Sequence, residues 1–456
     1  MHATQLAELL EPWLGHGPTY TAIAAGLRGL TLDGRLPVGQ RVPSERALAA
    51  GLGLGRGTIT AAYDALRADG YLTSDRGGGS RIALPATMPA RPDTALAAAG
   101  LDLTVAALPA PSQLLDAVGR ATVALRPLLA DHGLHPFGLP SLREHVAAHL
   151  SRRGLPTRAE QVLITNGALQ GWDLVLRALT RSGDRVLVEQ PTYPAVLDAV
   201  GAHGRRAVAL PVTSRGWDHP ARAAVLAHLT PDAQNPTGLL ASTGQRRRVL
   251  TDLAGVQVVA DETFADLVLD GPAGQPLARL RADVLTVGSM SKAFWAGLRI
   301  GWIRADPTLV RRLAQLRGAQ DLASPVLEQL VAAELLQRAE EILPERREQL
   351  RRGRDALLHE LTTRLPTWRC TPPRAGMVLW VELPETGASR LAAHALDLGL
   401  RLTPGPRFTI DGTADRWLRL PFTTPPERAV HTVQLLRQAH SRLSSTPLQD
   451  PARWTA

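Results

Sequence analysis

The chain has 456 residues, enough for about three domains at roughly 150 residues each. It is 45% hydrophobic and 20% charged, as a globular protein is, and no run of about 18 uncharged apolar residues predicts a membrane span. The one cysteine, Cys370, excludes an intrachain disulfide and fits a reducing cytoplasm, and the start MHATQLAELLEP lacks the basic stretch of a secretory signal. The net charge is +9, from 51 Lys plus Arg against 42 Asp plus Glu. That permits a nucleic-acid partner without requiring one. Only one of the 51 is a lysine, Lys292. Arginine keeps its proton near neutral pH and forms no imine. A lone lysine against an arginine background is therefore a candidate for amine chemistry, although one codon that escaped drift would look the same.

Residues 1–83 read as a small unit. Ser44 is a good N-cap for a helix ERALAAGL. A turn follows at Gly51–Gly55. A second helix is predicted from about Gly57 to Asp69, with Ile59, Ala62, Tyr63 and Leu66 as its buried stripe and Gly70 stopping it. YLTSDRGGGSRI then reads as two short strands around a glycine turn. Helix, turn, helix and wing make a winged helix–turn–helix, whose second helix enters the major groove. Ser44, Arg46, Arg56, Thr58 and Thr60 near that helix, and Arg76 and Arg81 flanking the wing turn, are types that contact phosphates and base edges. Any short helical hairpin shows a similar pattern, and the unit's 8 arginines against 7 acids leave it only weakly basic.

Residues 84–104 are rich in Pro and Ala without an apolar period, and read as a linker. From about 105, β-rich runs alternate with helical stretches: VLIT (162–165), VLVE (186–189), RAVALPV (206–212), VQVVA (256–260) and VLTVG (284–288). That alternation predicts an α/β domain with a mostly parallel sheet. Residues 345–442 read as helix, strand, helix, strand, helix, a second lobe. The basic run ERREQLRRGR (345–354) reads as a solvated helix face.

Four segments of this unit point to one chemistry. ITNGALQG (164–171) ends a strand in a small-residue turn and opens a helix, whose free N–H groups attract phosphate. QPTYP (190–194) presents Tyr193 on a loop, where a ring stacks on a flat cofactor or simply packs. DAQNPTG (232–238) and VVADETF (258–264) bring Asn235 and Asp261, the latter at the C-terminal end of an apolar strand. VGSMSKAFWAGLRIGW (287–302) clusters Ser289, Ser291, Lys292 and Arg299. A lysine that forms an imine, an aspartate that holds a pyridinium proton and a phosphate cradle suit pyridoxal 5′-phosphate. Ser289-Met290-Ser291-Lys292 also fits S-x-x-K, but the K-T-G that this motif requires has no second lysine to form it. No metal is expected.

Residues 19–83 resemble the DNA-binding head of the GntR family, and residues 105–445 resemble the fold-type I, aspartate-aminotransferase-like family. The second resemblance implies an α/β fold with a large sheet domain and a smaller C-terminal lobe. It assigns Gly167, Ala168 and Leu169 to the phosphate turn and Tyr193 to ring stacking. Asn235, Asp261, Ser289, Ser291, Lys292 and Arg299 become cofactor contacts. Arg419, in RWLRLPF (416–422), becomes the grip on an effector carboxylate. There are departures. The GntR head usually opens its recognition helix with Ser or Thr, Arg and a polar residue; here stand Gly55, Arg56 and Gly57. Phe264 stands where the family carries a tyrosine that bonds the ring hydroxyl. No tyrosine precedes GLPSLR (138–143), where His135 is a substitute. The two units in one chain resemble the MocR/GabR group of bacterial regulators. This implies a dimeric, cytoplasmic, pyridoxal-phosphate-dependent transcription factor that binds an operator and senses an amine, amino acid or cofactor level. A true aminotransferase with a vestigial head, and a DNA-binding scaffold with a dead pocket, are the alternatives.

Overall fold

The computed structural model describes residues 2–14, 19–32, 35–75, 79–83, 100–218 and 223–445. In the N-terminal unit, helices Ala3–Leu10, Thr19–Leu32, Glu45–Leu52 and Arg56–Ala68 precede a two-stranded wing. The wing strands are β1 (Leu72–Asp75) and β2 (Gly79–Ile82), paired antiparallel. Ile59, Ala62, Tyr63 and Leu66 point inward and meet Leu6, Ile23, Leu27 and Leu48 in one apolar core. Ser44 Oγ accepts the Ala47 N–H at 3.3 Å and starts the first reader helix. Gly53 (φ 65°) and Gly70 (φ 77°) take left-handed conformations that end the two helices. The second helix begins at Arg56 with Gly55 as a cap that offers no side chain.

Of the expected linker 84–104, residues 84–99 lie outside the described residues. Its end is not linker: β3 (Leu101–Asp102) pairs in parallel with the strand Leu400–Arg401. The reason is an alternation easily missed in so short a stretch, with Leu101 and Leu103 buried between the more exposed Asp102 and Thr104.

The large sheet holds β4 (Val162–Thr165), β5 (Arg185–Gln190), β6 (Arg206–Thr213), β7 (Gly216–Trp217), β8 (Leu226–Leu229), β9 (Gln257–Asp261), β10 (Leu285–Ser289) and β11 (Gly301–Arg304). Their spatial order is β4-β11-β10-β9-β8-β5-β6-β7. All run the same way except β11 and β7. Helices cover both faces, so the central strands are almost wholly apolar. The second lobe has the long helix Ala339–Arg364 and an antiparallel sheet. That sheet is built of β12 (Arg369–Cys370), β13 (Val378–Glu382), β15 (Thr403–Pro404) and β16 (Trp417–Pro421), with β14 (Leu400–Arg401) beside β3. The helices Ala388–Leu396 and Ala429–Ser445 pack on it.

The basic run 345–354 is not a solvated face. Arg346 and Arg354 are buried. Arg346 donates to Pro109 O (2.7 Å) and Phe294 O (3.0 Å), and Arg354 donates to Pro373 O (2.9 Å). The stems cover apolar surface while the guanidinium forks satisfy loop carbonyls that no strand pairs with.

Candidate functional site

The C-terminal ends of β4, β5, β8, β9 and β10 open on the same edge of the sheet, where ligands bind in open α/β sheets. Thr165 ends β4, and Asn166–Gly167 turn into the helix Ala168–Leu179. Gly167 has φ 90°, and a Cβ there would lie 2.8 Å from Arg299 Nη2. A Cβ on Gly301 would lie 2.6 Å from the Gly167 carbonyl carbon. Both positions need glycine for the turn to sit this close to β11. Arg299 reaches back to Asn166 O (3.2 Å), and Ser289 Oγ donates to Ser291 Oγ (2.9 Å). The Leu169 side chain is exposed, so that residue faces the turn only through its backbone N–H.

Lys292 follows β10 in a tight turn. Its Nζ donates to Ala106 O at 2.8 Å and lies 5.8 Å from the centre of the buried Phe264 ring. Burial lowers its pKa to about 8, and Arg419 and Arg299 push the same way against the pull of Asp261. Asp261 Oδ1 accepts the Thr263 N–H (2.9 Å), and Oδ2 stands 3.7 Å from His228 Nε2. His228 is buried against Trp172, with ring centres 4.8 Å apart, and burial holds its imidazole neutral-favouring, below the usual range. Asn235 is buried, and its Oδ1 has no hydrogen-bond partner among the described residues. Tyr193 caps the helix Pro194–Ala202 with its ring half-exposed at the mouth. Arg419 projects from β16 of the second lobe, donates to Thr104 O and packs 5.1 Å from the Phe408 ring centre. Burial lowers it to about 10 despite Tyr193 and Asp102.

In the head, Arg46, Arg56 and Arg81 are exposed and Thr58 and Thr60 half-buried. Arg46 stands on the first reader helix rather than the second. Thr60 Oγ1 donates to Glu45 Oε2 (2.8 Å), which also lies 3.7 Å from Arg56 Nε. Arg81 donates to Gly39 O (3.0 Å). The Ser44 hydroxyl is committed to its cap. Arg76 lies outside the described residues. His135 is half-buried, with Nε2 3.8 Å from Asp131 Oδ2.

Sequence reasoning missed the supporting residues. Buried Glu189 accepts from Trp217 Nε1 (2.8 Å), Thr230 N (2.8 Å) and Gln234 Nε2 (3.1 Å), and so fixes the residue beside Asn235. Burial still raises its pKa to about 7. His228 breaks an apolar strand, and Glu189 ends one; a polar residue in an otherwise apolar run was the available signal.

The residues fit pyridoxal 5′-phosphate. The Gly167 turn leaves helix N–H groups open beside Arg299, Asp261 keeps a carboxylate oxygen free of backbone donors, and Asn235 holds an unused buried oxygen. Comparison with known proteins agrees. Residues 115–435 match the family "Aminotransferase class I and II", and residues 19–82 match "Bacterial regulatory proteins, gntR family". The chain is 28% identical over 456 residues to the uncharacterized HTH-type transcriptional regulator YisV of Bacillus subtilis, covering 89% of this chain and 92% of that one. It is 28% identical to the pyridoxine biosynthesis transcriptional regulator PdxR of Corynebacterium glutamicum, covering 81% and 85%. Among solved structures, the α-aminoadipate aminotransferase LysN of Thermus thermophilus, in complex with a phosphopyridoxyl-leucine, is similar. The TM-score is 0.69 at 29% identity, over 77% of this chain and 94% of that one. The pocket takes pyridoxal 5′-phosphate. The chain belongs to the class I and II aminotransferase family, with a gntR-family regulatory head fused in front.

Proposed function

We propose that this protein is a cytoplasmic, pyridoxal-phosphate-dependent transcriptional regulator that senses an amine or amino acid in its large unit and binds an operator with its head. One observation carries the proposal: a lysine beside Asp261 and Arg419 and a reader helix with an outward-facing Arg56 occur in the same chain. Bound at Lys292, pyridoxal phosphate supplies a carbonyl carbon that amines attack and a ring that accepts electrons. The protein's share is placement. Asp261 holds the ring-nitrogen proton, Asn235 meets the ring oxygen, and Tyr193 covers the ring face. Ser289, Ser291, Arg299 and the N–H groups of Gly167, Ala168 and Leu169 hold the phosphate. Lys292, with its pKa lowered to about 8, gives up its proton far more readily than an ordinary lysine, and so more easily becomes the neutral amine that covalent attachment requires. Arg419 offers its fork to an effector carboxylate, giving up Thr104 O to do so. Ser44, Arg46, Arg56, Thr58, Thr60, Arg76 and Arg81 are the residues assigned to DNA binding in this reading, with Ser44 acting through its cap.

We further infer a homodimer. Leu115, Val123, Leu129 and Leu134 stand exposed along one stretch, with Leu322 exposed in the loop at 318–325 and Leu327 exposed just after it. A soluble monomer rarely leaves that much apolar surface in contact with water, and a second copy would match the two-fold symmetry of an operator.

A second reading, amino-acid transamination as the main activity, is favoured by the intact Lys292, Asp261 and Arg419. The deciding test pairs two measurements on the full-length protein. Candidate amines are titrated while the visible band is followed, and retention of upstream DNA fragments is measured with and without each amine. Regulation predicts an amine that shifts the band and also changes fragment retention. Ordinary turnover with a 2-oxo acid, and no fragment retained above random DNA at physiological salt, would replace it with the enzyme.

A further inference from the structure

Behind the phosphate turn lies a carboxylate that the site as described does not use. The loop at 318–325 joins the helices Pro307–Arg317 and Val326–Gln337, and Asp321 points from it toward Asn166. Asp321 Oδ2 accepts from Asn166 Nδ2 (2.5 Å) and Gln170 Nε2 (2.8 Å). Arg317, wholly buried, donates Nε to Oδ1 (2.6 Å) and Nη2 to Oδ2 (3.1 Å), and also holds Ser324 Oγ (2.8 Å). The pair balances its own charge, so it presents little net negative field to an anion nearby.

The consequence falls on Asn166. Its N–H donates to Gln170 Oε1 (2.9 Å), its carbonyl accepts from Arg299 (3.2 Å), and its amide nitrogen is held by Asp321. Its Oδ1 is buried and makes no hydrogen bond among the described residues. The N-cap itself is Gly167, which has no side chain, so the Asn166 oxygen one residue earlier is the side-chain acceptor best placed to turn on the free N–H groups, as in an Asx turn. Here those N–H groups are the ones a phosphate needs. Asp321 draws the amide back and leaves them uncapped.

We propose that Asp321 is a positioning residue for cofactor binding: it restrains Asn166 from capping the helix Ala168–Leu179, and so keeps the anion site open for the phosphate of pyridoxal phosphate. The proposal rests on the assignment of that cofactor to the pocket. In Asp321→Asn the remaining oxygen goes to the buried Arg317 charge and the new amide faces the Asn166 amide, donor against donor. Asn166 is then released to turn its oxygen on the helix start. Removing that oxygen as well, in Asn166→Ala, removes the competitor.

The test uses full-length protein freed of cofactor, titrated with pyridoxal phosphate and with pyridoxal, which lacks the phosphate, and read by the visible band of the lysine-attached ring. Asp321→Asn weakens pyridoxal phosphate by about tenfold or more, the scale of one hydrogen bond to a charged group. Pyridoxal affinity stays near the wild-type value. The double variant Asp321→Asn/Asn166→Ala regains most of the lost affinity. Three results would overturn the proposal: tighter pyridoxal phosphate binding in Asp321→Asn, which a purely electrostatic carboxylate gives; parallel loss of both ligands, which general structural support gives; or no recovery in the double variant. A wild-type protein that yields no band with either compound would instead overturn the cofactor assignment.

Discussion

Lys292 is buried in a positive neighbourhood, and that sets a pH dependence with a definite sign. Its folded pKa of about 8 lies below the ordinary 10.5, with burial the largest cause and Arg419 the next. Below pH 8 both folded and unfolded chains carry the proton, and the folded chain bears the full penalty of the buried charge, about 3 kcal/mol at 1.36 kcal/mol per unit. The penalty shrinks as pH rises from 8 toward 10.5 and is gone above it. Only the neutral amine attacks an aldehyde. Capture of pyridoxal phosphate by the cofactor-free protein should therefore accelerate with pH, with a midpoint near 8 in stopped-flow absorbance. Arg419→Gln removes a repelling charge and should move that midpoint upward; a downward move would contradict the assigned cause. Lys292→Ala should leave nothing for borohydride to fix. Phe264 makes a separate prediction. Its ring is buried beside Lys292 and has no hydroxyl to offer. Wild-type turnover with a 2-oxo acid should fall far below the median enzyme rate of about 10 per second. Phe264→Tyr should raise it while leaving effector-dependent DNA binding in place. Turnover near ordinary rates in the wild type would mean that some other group already serves that position.

The recognition helix Arg56–Ala68 starts weakly. Gly55 gives no side-chain cap, and Gly57 sits in the first turn with nothing within 4 Å of where a Cβ would stand. Gly57→Ala should stabilise the head by about 0.5–1 kcal/mol, the usual difference between the two residues in a helix. The head's transition in a denaturant melt of the full chain measures it; destabilisation would mean that the first turn is not helical in solution. Arg56→Ala should cost about 1–3 kcal/mol on the cognate operator if Arg56 reads a base. If it holds only a phosphate, the loss is equal on all sequences and the salt slope falls. Elements of this kind were the legible part of the sequence. Caps, glycine stops and apolar runs are local, so Ser44, Gly70 and the strands at Val162–Thr165 and Leu285–Ser289 could be placed from spacing alone. β8 is hidden because His228 interrupts its apolar run, and β11 because Gly301 and Arg304 leave only Trp302 and Ile303 as an apolar run. The supports of the pocket were invisible for another reason. Asp321 meets Asn166 across 155 residues, and Trp217 meets Glu189 across 28, so only the fold brings them together. The basic run 345–354 misled because periodicity reports that arginines share a helix face but not whether loop carbonyls wait opposite that face.

At the scale of the whole molecule, a segment of the second lobe runs from the pocket to the head. Phe408 packs under Arg419, and its carbonyl accepts the Thr192 N–H (2.8 Å) next to Tyr193. Asp411, three residues on, accepts from Gln190 (3.1 Å). At Gly412 the segment meets the head: a Cβ there would lie 3.2 Å from Leu9 and 3.3 Å from Arg35. Arg35 also donates to Ser389 Oγ (2.9 Å), and that hydroxyl donates to Asp415 (2.6 Å). If an effector carboxylate draws Arg419 off Thr104 O, as proposed, it disturbs the wall on which Phe408 rests, and the far end of that wall touches the head. Contact geometry alone is only a route; coupling is a free energy and has to be measured as one. The measurement is the factor by which a saturating effector changes operator affinity, commonly about 5- to 150-fold in coupled systems. Arg35→Ala and Ser389→Ala should each draw that factor toward one, because they loosen the head from the lobe. Effector affinity in the absence of DNA, read from the visible band, should stay at the wild-type value, since neither residue enters the pocket. Reciprocity adds a check: operator DNA must change effector affinity by the same factor, and must lose that influence in the same variants. Wild-type coupling retained in both variants would mean that the signal leaves the pocket by another path, with the segment Leu101–Leu108 next in line, because its carbonyls at Thr104 and Ala106 hold both Arg419 and Lys292.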